Sequence, residues 1–176
     1  YYWDLSNLVD ESDPYNIKRV KVVDAGNSAG RIIFIDNQNY NNGIQLNQIN
    51  GPESDLPVTF IFSALKPVVL TGTITGNVRM FFAGDFQFGM GTETVAYNGL
   101  TMFMSNGDMN ICGSIWSDKN NPGGGFLSSD KDITIVESAS FKGQIQCRGN
   151  FKTSGLIQFN DSVLKAPGFT VPKGMK

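Results

Sequence analysis

Four stretches of this chain repeat one pattern, in which a short apolar strand leads to a polar corner and then to a second apolar strand. The stretches are residues 78–88, 100–111, 125–135 and 143–153, and their corners are Gly84-Asp85, Gly107-Asp108, Lys131-Asp132 and Gly149-Asn150. Counted between Gly84, Gly107, Lys131 and Gly149, the spacings are 23, 24 and 18 residues. A strand–corner–strand unit of about 20 residues is typical of a solenoid whose coils bury their apolar rows against one another. The repeat therefore predicts an all-β fold, a right-handed parallel β-helix of about five or six coils.

Equivalent residues of successive coils lie about 4.8 Å apart in such a fold, so they form columns inside it. We expect one inward column of Phe82, Met104 and Cys147, and a second of Phe86, Met109, Ile133 and Phe151. Upstream, we expect Phe60 and Phe62 to match Met80 and Phe82, with a further corner near Lys66-Pro67. A β-sandwich also has short strands and frequent turns, but it has no reason to show an in-register repeat.

The corner residues have a structural interpretation and a catalytic alternative. We expect Gly84, Gly107 and Gly149 to supply the positive φ of a sharp bend, and Asp85, Asp108 and Asn150 to cap backbone groups there. Asp85, Asp108 and Asp132 occupy equivalent positions, and polysaccharide-cleaving β-helices work with acidic residues on one outer face. The fourth corner has Asn150 instead, which suits capping and interrupts an acidic row. The corners are therefore interpreted as structural.

The chain divides into three parts by composition. Residues 1–30 are expected to form an N-terminal arm or cap over one open end of the solenoid, which spans residues 31–164. Residues 165–176 are rich in Pro and Gly and are expected to be an extended tail that covers or leaves the other end. The longest irregular insertion is 118–125, a plain loop or a candidate contact loop formed by Trp116, Asp118, Asn120 and Asn121.

Composition favours a non-enzymatic protein. The chain has no histidine, which removes Ser-His-Asp and Cys-His catalysis and His-bearing zinc sites. Its net charge is −2 without a basic stripe, so nucleic-acid binding is not expected. Cys112 and Cys147 are in no C-x-x-C motif, and we expect buried thiols, or a disulfide between neighbouring coils if the protein is exported. No cofactor or metal is predicted, because the glycine run 123–125 lacks the aspartate of calcium-binding repeats.

Part of the sequence resembles a known family. Four short motifs resemble elements in the C-terminal β-helical domain of PilX-type, type IV pilus-associated (minor pilin-like) proteins. They are Gly113-Ser114-Ile115, Gly143-Gln144-Ile145, Gly149-Asn150 and Phe159-Asn160-Asp161. The resemblance spans residues 100–164 and implies a surface or pilus-associated structural or adhesive module. It further implies an extracellular or cell-surface location, with any membrane anchor outside this chain. The implied partners are pilus or cell-surface proteins, copies of the chain itself, or a surface glycan.

A second resemblance is to bactofilins, which are cytoplasmic β-helical polymers. The 23- and 24-residue spacings here are less regular than the coils of those filaments. This resemblance supports the alternative function, a self-assembling β-helical filament protein or extracellular fibre subunit.

Overall fold

A computed structural model describes residues 2–3, 9–10, 18–38, 40, 42–89, 94–95, 101–115, 125–136 and 139–159. Its strands are β1 (Tyr2–Trp3), β2 (Val9–Asp10), β3 (Lys18–Asp24), β4 (Ile32–Ile35), β5 (Ile44–Asn50), β6 (Val58–Phe62), β7 (Val68–Leu70), β8 (Ile74–Thr75), β9 (Val78–Phe82), β10 (Phe86–Phe88), β11 (Thr94–Val95), β12 (Thr101–Ser105), β13 (Met109–Ile111), β14 (Ser114–Ile115), β15 (Gly125–Ser129), β16 (Ile133–Ile135), β17 (Ser140–Cys147), β18 (Phe151–Thr153) and β19 (Leu156–Phe159). Within these residues there is no helix long and apolar enough to cross a membrane.

The strands stack on three faces of a β-solenoid. Face 1 consists of β4, β6, β9, β12, β15 and the second half of β17, each parallel to the next. Face 2 consists of β3, β5, β7, β10, β13, β16 and β18, also parallel. Face 3 contains β8, β11, β14, the first half of β17 and β19. Three coils have a separate strand on every face, namely β6–β8, β9–β11 and β12–β14. Towards the two ends, the long strands β3, β5 and β17 each run across two faces.

The register confirms the solenoid and most of the expected columns. Phe60 pairs with Met80 and Phe62 with Phe82. The column that begins at Phe86 continues through Met109 and Ile133 to Phe151. Since Val68 pairs with Phe86, the dipeptide Lys66-Pro67 is equivalent to Gly84-Asp85.

The other expected column is wrong by one residue. Cys147 pairs with Ser129, and Ser129 pairs with Ser105, so the residue equivalent to Cys147 is Ser105 and not Met104. Strand side chains alternate between the two sides of a sheet, so a shift of one residue moves a side chain from the interior to the surface. Met104 therefore lies on the outside of face 1, where it is partly exposed.

The interior is a continuous apolar core with stacked aromatic rings. Phe82 and Phe86 have ring centroids 4.0 Å apart and nearly parallel planes, and Phe82 also stacks on Phe62 at 5.2 Å. Phe103 fills the next coil with its ring 4.8 Å from that of Phe86. All four side chains are buried. Burial of such aromatics is the main stabilising term that a solenoid of this size has available.

The two ends of the solenoid differ. At the N-terminal end, β1 adds to face 1 in parallel with β4, whereas β2 pairs antiparallel with β3 on face 2. Although β3 lies within residues 1–30, it is already parallel to β5 and belongs to the stack. At the C-terminal end, Phe151 is 40% exposed, whereas Phe86, Met109 and Ile133 in the same column are at most 1% exposed.

Candidate functional site

The corners between face 1 and face 2 are joined by a ladder of carboxylates. Asp85 Oδ1 accepts a hydrogen bond from the backbone N–H of Asp108 at 2.9 Å, and Asp108 Oδ1 accepts one from Asp132 at 3.2 Å. Asp132 Oδ1 accepts the backbone N–H of Asn150 at 2.7 Å. Each carboxylate therefore caps the following coil, which supports the structural interpretation of these residues.

The last step of this ladder changes the acidity of Asp132. The backbone N–H of Asn150 lowers the pKa of the Asp132 carboxyl, and the Asn150 side-chain amide and the charge of Lys152 act in the same direction. Hydrogen bonds donated to a carboxylate stabilise its charged form. A proton donor for general acid catalysis needs the opposite shift, so the geometry at Asp132 favours an acceptor with a structural role.

A second ladder, which sequence reasoning missed, runs beside the carboxylates. Ser105 Oγ donates to the carbonyl of Gly84 at 2.7 Å and accepts the N–H of Gly107 at 2.9 Å. Ser129 repeats this arrangement, donating to Gly107 O at 2.7 Å and accepting from Lys131 N at 2.9 Å. The sequence contains a signal for this serine ladder, because Ser105 and Ser129 both lie two residues before the first residue of a corner.

The corner glycines do not have the backbone conformation that we expected. Positive φ is found at Gly30, Gly43, Gly76, Gly89 and Gly143, and not at Gly84, Gly107 or Gly149. The corner glycines are instead required by close stacking. A Cβ on Gly107 would lie 2.7 Å from the backbone nitrogen of Asp85, and one on Gly149 would lie 2.8 Å from the carbonyl carbon of Lys131. Such contacts are shorter than real Cβ atoms show, so coil spacing excludes a side chain there.

Trp116, Asp118, Asn120 and Asn121 lie outside the described residues, so the candidate contact loop stays a prediction, as do the tail at 165–176 and the Asn160-Asp161 part of the family motif. Cys112 and Cys147 are described. They form no disulfide and are partly exposed rather than buried. Cys147 is exposed because it lies in the last coil.

The outside of face 1 is unusually apolar. One outward column contains, in register, Phe34, Ile61, Phe81 and Met104, followed by Ser128 and Gln146. We call Phe34, Ile61, Phe81 and Met104 the outer stripe. Phe34 is 44% exposed, and the other three are partly exposed. The neighbouring outward column contains Ile32, Thr59, Arg79, Met102, Phe126 and Gln144. Met102 and Phe126 point outward yet are 6% and 2% exposed, so other parts of the chain pack over them.

Face 2 provides an internal comparison for this surface. Its outward column is, in register, Gln45, Val69, Gln87, Asn110, Thr134 and Lys152. Only Val69 is apolar there, although the two faces have the same strand spacing and belong to the same coils. The apolar outside of face 1 is therefore not a requirement of the fold. Contiguous exposed apolar surface of this kind marks contact sites in soluble proteins.

A groove of about 290 Å³ lies between the outer stripe and the corners. Ile61, Phe81 and Met104 form its apolar side. The other side belongs to the rim, which we define as the first residue after each face-1 strand: Asp36, Ser63, Ala83, Asn106, Asp130 and Arg148. Of these, Ser63, Ala83, Asn106 and Asp130 line the groove. Asp130 and Arg148 form an exposed ion pair within the rim at 3.4 Å. The groove thus offers an apolar wall and a polar wall to a bound group.

A second groove, of about 340 Å³, continues past the rim onto the corners. Leu65 projects beside it and is 81% exposed, while Asp85, Asn106 and Lys131 line it. Asp85 already accepts a hydrogen bond in the carboxylate ladder. The other side chains that line this second groove are the apolar Leu65, Pro67 and Ala83, the amide of Asn106 and the ammonium group of Lys131. Face 1 with its groove is therefore the candidate functional site.

Arg79 is the cation on the outside of face 1. Its Nε is buried without a hydrogen-bond partner, and burial lowers the pKa of the guanidinium. Among the described residues no carboxylate pairs with it. A partly desolvated charge without a counter-charge is unfavourable, so an acceptor brought by a bound partner would gain more at Arg79 than at an exposed cation.

The described residues contain no group of three His, Cys, Asp or Glu that could hold a metal ion. Comparison of the chain with protein-family models, with curated proteins and with solved structures finds no match in any of the three.

Proposed function

We propose that this chain is a non-enzymatic structural or adhesive β-solenoid module of a cell surface or pilus, which binds its partner along the outside of face 1. The observation that carries the proposal is the contrast between the two outer faces. The outer stripe leaves Phe34, Ile61, Phe81 and Met104 exposed or partly exposed, whereas the equivalent column of face 2 is polar except for Val69.

The rest of the architecture supports a binding scaffold. Hydrogen bonds between coils hold the corner rigid, so the outer stripe is fixed before any partner arrives. A preorganised surface avoids the ordering entropy that a flexible one loses on binding. The carboxylates that could have served a polysaccharide-cleaving enzyme are instead engaged with backbone N–H groups. Because of the resemblance to PilX-type proteins, type IV pili are the first partner to test.

Co-sedimentation with purified type IV pili tests this function. We expect the chain to pellet with pili and to stay in the supernatant without them. Phe81→Asp places a charge in the middle of the outer stripe and should abolish the interaction. Val69→Asp makes the same kind of change on face 2 and should leave binding intact. Absence of co-sedimentation, or equal binding by both variants, would contradict the proposal. A glycan array probed with the same two variants distinguishes a surface sugar from a protein partner.

A second candidate function, a filament subunit, is favoured by one observation. The last coil leaves Phe151 40% exposed, as expected where a further coil could stack. The opposite end opposes this function, because β2 runs antiparallel to β3 and a parallel coil of another molecule cannot continue face 2 there. Negative-stain electron microscopy decides between them: filaments of constant width support the filament subunit, and discrete particles support the module.

A further inference from the structure

We propose that residues 160–176 cross the open C-terminal end of the solenoid and form its cap, with Phe169 and Val171 packed against the apolar residues that the last coil leaves uncovered. We call residues 160–176 the C-terminal segment; they follow β19 directly and lie outside the described residues. The cap and the outer stripe are separate surfaces, so the cap neither requires nor excludes a partner on face 1.

The last coil leaves an inward apolar side chain uncovered on each of its three faces. These exposed or partly exposed residues are Ile145 on face 1, Phe151 on face 2 and Ile157 on face 3. The residues that pair with them one coil earlier are all fully buried, namely Leu127, Ile133 and Phe141. The exposure therefore comes from their position at the end of the stack. Ends of this kind need a cover with a polar outer side for the solenoid to stay soluble.

The C-terminal segment does not have the pattern of a further coil. Phe159 pairs with Gly143, and β17 continues from there along face 1. Continued pairing in this register would place Asp161 over Ile145, in an inward column that is apolar in every earlier coil. Burial of a carboxylate there is unfavourable. The two prolines of the segment cannot donate to a strand ladder either. The segment is therefore better suited to lie across the end than to extend the stack.

The sequence between the two prolines suits a cap. Pro167 and Pro172 favour an extended backbone in the stretch that they flank. In an extended segment, Phe169 and Val171 project to one side and Thr170 projects to the other. One side is thus apolar and packs on the end, while the other faces water. A single extended segment is only one layer thick, so the end residues stay less buried than those of the inner coils.

Length and tethering favour this segment over a second molecule as the occupant. The 17 residues from 160 to 176 reach about 56 Å when extended. The part of β17 on face 1 has five residues and spans only about 17 Å. Because the segment is attached at Phe159, the last residue of β19, its effective concentration at the end is about millimolar. A second copy of the chain competes only near that concentration. A capped end also blocks stacking by another molecule, which favours discrete particles over filaments.

Labelling of the Cys147 thiol by a maleimide in the full chain tests the cap. Cys147 lies in the last coil, in register with the buried Ser129, and is partly exposed, so a cap should shield it. Cys112 follows β13 in an inner coil and is the internal reference, which mass spectrometry of the peptides measures separately. We expect the double variant Phe169→Asp, Val171→Asp to label Cys147 about tenfold faster than the wild type, because the charges open the cap.

Thr170→Asp is the matched control, because it adds the same charge to the other side of the same segment. It should leave the labelling rate of Cys147 unchanged, and the rate of Cys112 should be the same in every variant. Thermal melts by circular dichroism establish that each variant is folded.

Three results would overturn the cap. The first is a Cys147 rate that the double variant does not raise, and the second is an equal rise in Thr170→Asp. The third is protection of Cys147 that appears only as the chain concentration increases from about 1 to 200 μM, a range below the effective concentration of a tethered segment. That result would identify a second copy of the chain as the occupant of the end.

Discussion

Replacing Gly107 by alanine should destabilise the solenoid, although its backbone angles are open to any residue. The added methyl would lie 2.7 Å from both the backbone nitrogen of Asp85 and the carbonyl carbon of Gly84. Overpacking of this kind costs about 1–3 kcal/mol. The same methyl pushes on the Asp85 carboxylate that caps Asp108, and weakening that hydrogen bond adds about 1 kcal/mol. We therefore expect a loss of about 2–4 kcal/mol in the free energy of unfolding.

The assay is urea and thermal unfolding followed by circular dichroism. For a domain of this length each kcal/mol corresponds to about 2–4 °C, so the melting temperature should fall by about 5–15 °C. Gly26→Ala is the matched control, because a Cβ at Gly26 would have only an ordinary contact, 3.6 Å from Asp24 Oδ1. That variant should stay within about 1 kcal/mol of the wild type, with stabilisation the expected sign.

Gly107→Asn separates crowding from backbone conformation. Asparagine enters the left-handed region more readily than alanine, so a bend that needed positive φ would tolerate it better. If close stacking is the cause, asparagine should destabilise at least as much as alanine. The reasoning is refuted if Gly107→Ala melts like Gly26→Ala, or if asparagine is clearly the milder substitution.

Two further predictions follow from burial and from the carboxylate ladder. Phe86→Ala truncates a buried aromatic side chain and should lower the free energy of unfolding by about 3–5 kcal/mol. Phe151→Ala in the same column should lower it by less than half of that, because Phe151 is 40% exposed. Urea titration of both variants measures the difference, and equal losses would contradict the assignment of Phe151 to the end coil. Because the pKa of Asp132 is lower in the folded chain than in the unfolded one, its contribution is present above the unfolded value of about 4 and is lost as pH falls further. The melting temperatures of wild type and Asp132→Asn should therefore differ at pH 7 and converge as the pH falls through the lowered pKa of Asp132 in the folded chain. A difference independent of pH would show that charge is not involved.

The periodicity of the sequence was sufficient to predict the fold, because the repeated polar corner lies at the same place in successive coils. The hydrogen bonds between consecutive corners join residues 23, 24 and 18 apart, the same spacings that the sequence shows. Matching Phe60 and Phe62 to Met80 and Phe82 also succeeded, because β6 and β9 have the same length and begin with an inward valine in the same register, although Ile61 and Phe81 between the matched residues are also apolar.

The errors arose where apolar residues occupy both sides of a strand. In β12 both Phe103 and Met104 are apolar, so alternation alone does not tell which faces inward, and Met104 was assigned to the interior. The same ambiguity hid the outer stripe, although continuous apolar runs in β4 and β12 were visible in the sequence. The crowding at Gly107 depends on how closely neighbouring coils approach, and no single-strand pattern encodes that distance.

The corner hydrogen bonds connect residues that are equivalent from coil to coil, and they form both across 18 residues and across 24. The corner hydrogen bond therefore does not depend on the number of residues between its donor and its acceptor. A lineage of such proteins can lengthen or shorten loops away from the corner, or duplicate a whole coil, and each new coil inherits an acceptor for its successor. The length of the solenoid and the number of strands on face 1 can thus change in evolution while the same corner hydrogen bonds connect the coils.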